Sequence, residues 1–348
     1  MTHKKSSFLC TAALSAMLVA SSAHARDLTV IGWGGSYQEA QRKAYFEPYI
    51  ANHGPLKDSS YNGELAKIKA MVETGDITWD VVQMEAPELE NACDEGLIER
   101  IDWARLGGKD QFIDSAAMGD CGVGAIVYSV ILAYDNAKLG ENGPKSWADF
   151  WNTEKWPGKR ALRKSAKFTL EIALLADGVP TNKVYDALGT PEGMDRAFAK
   201  LDEIKDRIQW WESGAQPPQW LAAGDVVMTS AYNGRIFKMV SEGRNFTTVW
   251  DGQIYTLDGW AIVSGTENID AAYDFLKIAN QAERQAVLSN AIPYGTIEPT
   301  AMARVKPEVA AQLPTAPENL RNALHQSTDF WIDHIEELNQ RFNNWASN

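Results

Sequence analysis

The chain of 348 residues carries 46 acidic against 33 basic side chains, a formal net charge of −13. That sign argues against nucleic acid and anionic membrane as partners. The length exceeds what one core usually holds and predicts two lobes, while 45% hydrophobic content and 13 tryptophans predict large cores and an aromatic-lined surface.

Lys4 and Lys5, an apolar run over 8–20 and the A-x-A site Ala23-His24-Ala25 form a secretory signal. The run is shorter than the roughly 20 residues a spanning helix needs, so a soluble exported protein beginning at Arg26 is expected. Loss of Lys4 and Lys5 takes the net charge from −13 to −15, and Cys10 leaves with the leader. Cys93 and Cys121 remain, and in an exported protein they are expected to form one disulfide. Without nearby histidines they make a poor metal ligand set, so neither a metal nor a cofactor is expected.

Residues 28–31 read as a buried strand, followed by the Gly-rich turn Gly32-Trp33-Gly34-Gly35-Ser36 and a helix over 37–49. A helix over 66–73 closes at Gly75, a strand covers 80–83, and a helix over 87–95 ends at Gly96. The β-branched run 124–133 reads as one long strand. Strands alternating with helices imply α/β units on a largely parallel sheet. Helical patterns follow at 147–151, 168–176 and 194–208, then a short strand over 225–228 and late helices over 281–289 and 323–345. Residues 127–135 and 254–260 suit strands that cross between lobes and form a hinge, with ligand held in the cleft.

Met228-Thr229-Ser230-Ala231-Tyr232-Asn233-Gly234-Arg235 and, after a short helix, Tyr255-Thr256-Leu257-Asp258-Gly259-Trp260 each put one charge beside aromatic residues at the mouth of an apolar strand. Arg235 can hold a carboxylate through two parallel hydrogen bonds, Asp258 can hold an ammonium, and aromatic faces can hold an alkyl stem. If both face one cleft, the ligand is a small zwitterion. A structural ion pair, or two unrelated surface charges, is the alternative.

The mature chain resembles the periplasmic solute-binding proteins of ABC importers, in the spermidine/putrescine-binding family. The resemblance rests on Thr29-Val30-Ile31-Gly32-Trp33, Glu64-Leu65-Ala66-Lys67-Ile68, Trp79-Asp80-Val81-Val82 and Glu95-Gly96-Leu97-Ile98-Glu99-Arg100-Ile101-Asp102. It continues through Trp147-Ala148-Asp149-Phe150, Ala231-Tyr232-Asn233-Gly234 and Asp258-Gly259-Trp260-Ala261-Ile262. It implies an α/β, two-lobed periplasmic-binding-protein fold of type II, one lobe formed by 26–133 with about 258–300 and the other by 134–257 with about 301–348. It also implies a monomer in the periplasm that serves a membrane permease. Trp33 and Glu85 would line the cleft from the first lobe and Tyr232 from the second, Asp258 would be the hinge acid for an ammonium, and Tyr294 another wall.

The departures from that family set the ligand. Where the second-lobe acids of a polyamine binder are expected, the chain reads Arg163-Lys164-Ser165-Ala166-Lys167-Phe168, and Arg235 replaces a small residue. A second ammonium beside Arg235 would meet like-charge repulsion. One anionic and one cationic end, with a short stem against Phe168, describe an ω-amino acid, and GABA fits a GABA-binding branch of the family. The alternative has Arg235 facing solvent and a polyamine ligand.

Enzyme readings find little support. G-x-S-x-G, H-E-x-x-H and P-loop motifs are absent. Paired carboxylates of a glycosidase meet only in space and stay open, as does an aromatic-lined sugar site. Tyr232 beside Arg235 makes a weak ferric site.

Overall fold

The computed structural model describes residues 26–113, 116–140 and 142–347. The secretory signal expected over 1–25 lies outside the described residues. Strand β1 (Leu28–Gly32) pairs in parallel with β2 (Leu56–Ser60) on one side and β3 (Val81–Glu85) on the other. Parallel neighbours need crossovers, and the helices Gly35–Gln41 and Leu65–Thr74 supply them. β3 is buried along its whole length, so its Val81-Val82 run shows no polar alternation. A second parallel set joins β6 (Arg160–Arg163) to β7 (Ile208–Trp211) and to β8 (Met228–Tyr232).

Two long antiparallel strands connect these sets. β5 (Gly122–Asp135) and β9 (Phe246–Ile262) lie side by side in the order β2-β1-β3-β9-β5-β8-β6-β7. β4 (Ala117–Met118) flanks β5, and β10 (Leu324–His325) flanks β9. The far end of β9 pairs with β3 and the far end of β5 with β8, so both strands run from one parallel set to the other. Register shifts at Gly124/Ile126 and Val130/Leu132 interrupt their ladder, and such irregularities bend and twist a strand pair locally.

Each set has its own core beside the large shared one. Ile31, Ile68, Val82, Met84, Leu89 and Ala261 pack around β3, and Ile131, Ala161, Trp211, Leu221, Ala231 and Ile236 pack around β8. The expected disulfide is present: Cys93 and Cys121 tie the helix Ala86–Asp94 to the start of β5, with Cα atoms 5.8 Å apart.

The structure adds strands that the pattern hid. β2, Leu56-Lys57-Asp58-Ser59-Ser60, is a polar edge strand. β6 opens on Arg160, a charge in a strand, fully buried because its guanidinium donates to the carbonyls of Phe150, Gly158 and Asn152. The helix expected over 194–208 is Pro191–Asp202, and Ile208 instead begins β7 after a turn at Lys205–Arg207. The strand expected over 225–228 is Met228–Tyr232, and the last helix begins at Thr328 instead of 323 because Leu324–His325 joins the sheet.

Candidate functional site

The pocket forms where the crossing strands leave the two sets. Register puts Glu85 of β3, Asp258 of β9 and Ile126 of β5 in one row across the sheet. Tyr232 ends β8 opposite Val130. Arg235 follows one turn into the helix Asn233–Ser241. Asn233 holds this corner: its side chain accepts from the Ser129 N–H at 3.1 Å and donates to the Pro293 carbonyl at 2.7 Å, which brings the Tyr294 segment against the strand end.

A small pocket results, lined by Trp33, Tyr37, Glu85, Ile126, Tyr128, Tyr232, Arg235, Asp258 and Tyr294. Tyr128 meets Tyr232 edge to face at 5.4 Å between ring centres, and Tyr37 meets Tyr294 at 5.2 Å. These rings form an aromatic box of the kind that holds an alkyl stem and favours a nearby cation.

The two ends of the box are chemically opposite. Asp258 is 2% exposed; its Oδ2 accepts from the Trp33 indole N–H at 2.6 Å, and its Oδ1 is buried with no hydrogen-bond partner in the protein. Burial first, and the Glu85 charge second, push its carboxyl well above the ordinary carboxylate range. Arg235 is 3% exposed; its Nη2 donates to the Trp33 carbonyl at 3.0 Å, while Nε and Nη1 are buried without partners. The guanidinium fits only because two glycines leave room. A Cβ on Gly35 would stand 2.7 Å from Nη1, and one on Gly214 would stand 3.0 Å from Nε. Trp33 thus touches both ends, and it stacks on Tyr61 at 5.0 Å. Burial pushes the Tyr294 hydroxyl up to about 12, against the pull of the neighbouring Arg235.

Six of the seven sequence-derived ligand residues, Trp33, Glu85, Tyr232, Arg235, Asp258 and Tyr294, come together around this pocket. One residue departs from the expectation. Phe168 does not reach it: the ring is fully buried, edge-on to Tyr128 and under the Arg163 guanidinium. The cause is local. Lys167 is extended and Phe168 adopts φ +70°, a strained value for a bulky residue, so the chain turns Phe168 into the core and sends Lys167 to the cleft. Glu85 lines the pocket, but it is not a second acid open to an ammonium. Arg163 donates to its two oxygens at 3.0 and 3.2 Å, and Lys167 lies 2.6 Å from Oε2. Burial alone would raise the Glu85 carboxyl; Arg163 and then Lys167 outweigh it and hold its pKa down to about 2. Tyr37, Ile126 and Tyr128 are pocket residues that sequence reasoning missed. The alternation of β5, which turns Ile126 and Tyr128 to one face, was the available signal.

The fold and this pocket define a two-lobed binding protein with its ligand site between the lobes. Residues 56–317 match the family model described as bacterial extracellular solute-binding protein. A gamma-aminobutyric acid-binding protein of Pseudomonas aeruginosa is 51% identical over 333 residues, 95% of this chain and 94% of that one. A spermidine/putrescine-binding periplasmic protein of Escherichia coli is more distant, at 24% over 244 residues and 68% of each chain. Among solved structures, that of the Atu4243 GABA receptor superposes with a TM-score of 0.79 at 33% identity, covering 92% of this chain and 98% of that one. The chain therefore belongs to the bacterial extracellular solute-binding proteins, which are binding proteins and not enzymes. No helix among the described residues is long and apolar enough to cross a membrane.

Proposed function

We propose that this protein is the periplasmic receptor of an ABC importer and that its ligand is a small ω-amino acid, GABA above all. The observation that carries this reading is the pairing of unpartnered atoms in one buried pocket: Oδ1 of Asp258 at one end, Nε and Nη1 of Arg235 at the other. A ligand ammonium satisfies the first, and a ligand carboxylate satisfies the second by accepting a charge-assisted hydrogen bond from the Arg235 guanidinium. Buried polar atoms left unpaired are costly, so a zwitterion stabilises the closed pocket, whereas a diamine would bring a cation to Arg235. The aromatic box takes the methylene stem. The strong similarity to a GABA-binding protein supports the same ligand.

In this reading the lobes divide near 133 and 257, within the crossing strands β5 and β9, as the sequence implies. The segment 301–310 packs on the helix Ala282–Ala291, so we set the last crossing between 311 and 323, later than residue 300. The receptor acts as a monomer that presents its closed form to a membrane permease. Titration calorimetry with GABA, its shorter and longer homologues, putrescine and spermidine tests the ligand. GABA should bind at least about a hundredfold more tightly than putrescine, given several kcal/mol of like-charge repulsion at Arg235. Equal affinities would return the protein to the polyamine class.

A further inference from the structure

The pocket contains two adjacent carboxylates, since Glu85 and Asp258 face each other across β3 and β9. Such a pair would suit a ligand with two ammonium groups, yet the chain fills one of the two positions itself. Arg163 and Lys167 come from β6 and from the start of the helix Ala166–Ala176, across the cleft from β3. Lys167 is 1% exposed, reaches Glu85 at 2.6 Å and also pairs with Glu88. The strained turn at Phe168 aims it there. Both Glu85 oxygens are engaged, and the Tyr232 hydroxyl stands 3.4 Å from one of them. Glu85 and Glu88 against Arg163 and Lys167 sum to zero, which leaves Asp258 and Arg235 as the balanced pair with free valences.

We propose that Arg163 and Lys167 are specificity-determining residues: tethered counterions that occupy Glu85 when the lobes close and so deny that position to a second ammonium of the ligand. They act through Glu85 and touch no ligand themselves. The proposal rests on the reading of the pocket as a zwitterion site and deepens it, by making diamine exclusion the work of two cationic groups besides Arg235.

The test is titration calorimetry with GABA and putrescine on the wild type, on Arg163→Met/Lys167→Met, and on that double variant with Glu85→Gln added. In the double variant the putrescine-to-GABA affinity ratio should rise by about tenfold or more, as expected when an unpaired carboxylate gains a cation. Adding Glu85→Gln should reverse the rise. Parallel weakening of both ligands at a constant ratio, or a rise that survives Glu85→Gln, would overturn the proposal and leave the network a purely structural clasp. Lys167→Met alone, which keeps Arg163 on Glu85, serves if the double variant does not fold. It should shift the ratio in the same direction, and a constant ratio there is equally adverse. The wild-type titration separates the two ideas: no GABA binding by wild type with putrescine gained in the variant sinks the ligand reading but not the counterion one.

Discussion

Replacing Asp258 by asparagine should move affinity and stability in opposite directions. The substitution is nearly isosteric, and the new amide oxygen can still accept the Trp33 indole N–H that now reaches Oδ2 at 2.6 Å. What disappears is the charge at the buried Oδ1. Losing one partner of a buried charged contact costs about 2–5 kcal/mol, so the Kd for GABA should rise roughly 30- to 4,000-fold at 1.4 kcal/mol per tenfold. The ligand-free protein should gain stability. Asp258 has a folded pKa raised by burial and by Glu85, so its contribution is most favourable below the ordinary carboxylate pKa and is lost as pH rises through the folded value. The variant has no such loss, and its Tm advantage should widen from pH 5 to pH 8. The same linkage means that an ammonium favours the ionised Asp258, so GABA affinity should fall as the solution is acidified. A variant that binds GABA within twofold of wild type would remove Asp258 from the ammonium site.

Three further outcomes follow from the geometry. Gly35→Ala should weaken GABA binding by more than about tenfold in calorimetry, since its Cβ would press on Arg235 Nη1 at 2.7 Å and its φ of +59° strains any side chain. Glu171 is fully buried under the Trp331 indole and the Tyr185 hydroxyl, and burial pushes its pKa up to about 7. Its stabilising contribution is therefore present below about pH 4.5 and lost as pH rises through 7, so the Tm gap between Glu171→Gln and wild type should grow from pH 5 to pH 8 by the equivalent of on the order of 3 kcal/mol. The gap would stay constant if Glu171 were ionised throughout. Cys93→Ser/Cys121→Ser opens the closed loop between residues 28 positions apart and should lower chemical-denaturation stability by about 3 kcal/mol, while leaving the GABA-to-putrescine preference in place.

The α/β alternation and the crossing strands were legible because their residues are apolar for packing reasons alone. The apolar stretch of β5 and the Val81-Val82 run of β3 carry their burial in their composition. β2 and β6 were hidden because one is a polar edge and the other buries Arg160 against backbone carbonyls, a compensation that exists only in three dimensions. The charged ends of the site were readable since Arg235 and Asp258 sit in segments that are otherwise aromatic and apolar. Glu85 lines the pocket as the resemblance implied, but its neutralisation was not legible, because the cations lie 78 and 82 positions away, Arg163 on β6 and Lys167 beside a positive-φ residue that no local pattern announces. Phe168 failed for the same reason: an ordinary helix would have aimed it elsewhere.

Trp33 joins the two ends of the pocket through its own covalent frame, the carbonyl meeting Arg235 and the indole nitrogen meeting Asp258. The spacing that a ligand must span is therefore fixed by one residue and its rotamer, which stacking on Tyr61 holds in place. The receptor carries an internal gauge, and a solute one methylene too long can close the lobes only by lifting Arg235 off the Trp33 carbonyl. In the function proposed above, length selection and lobe closure then become one event read at one hydrogen bond.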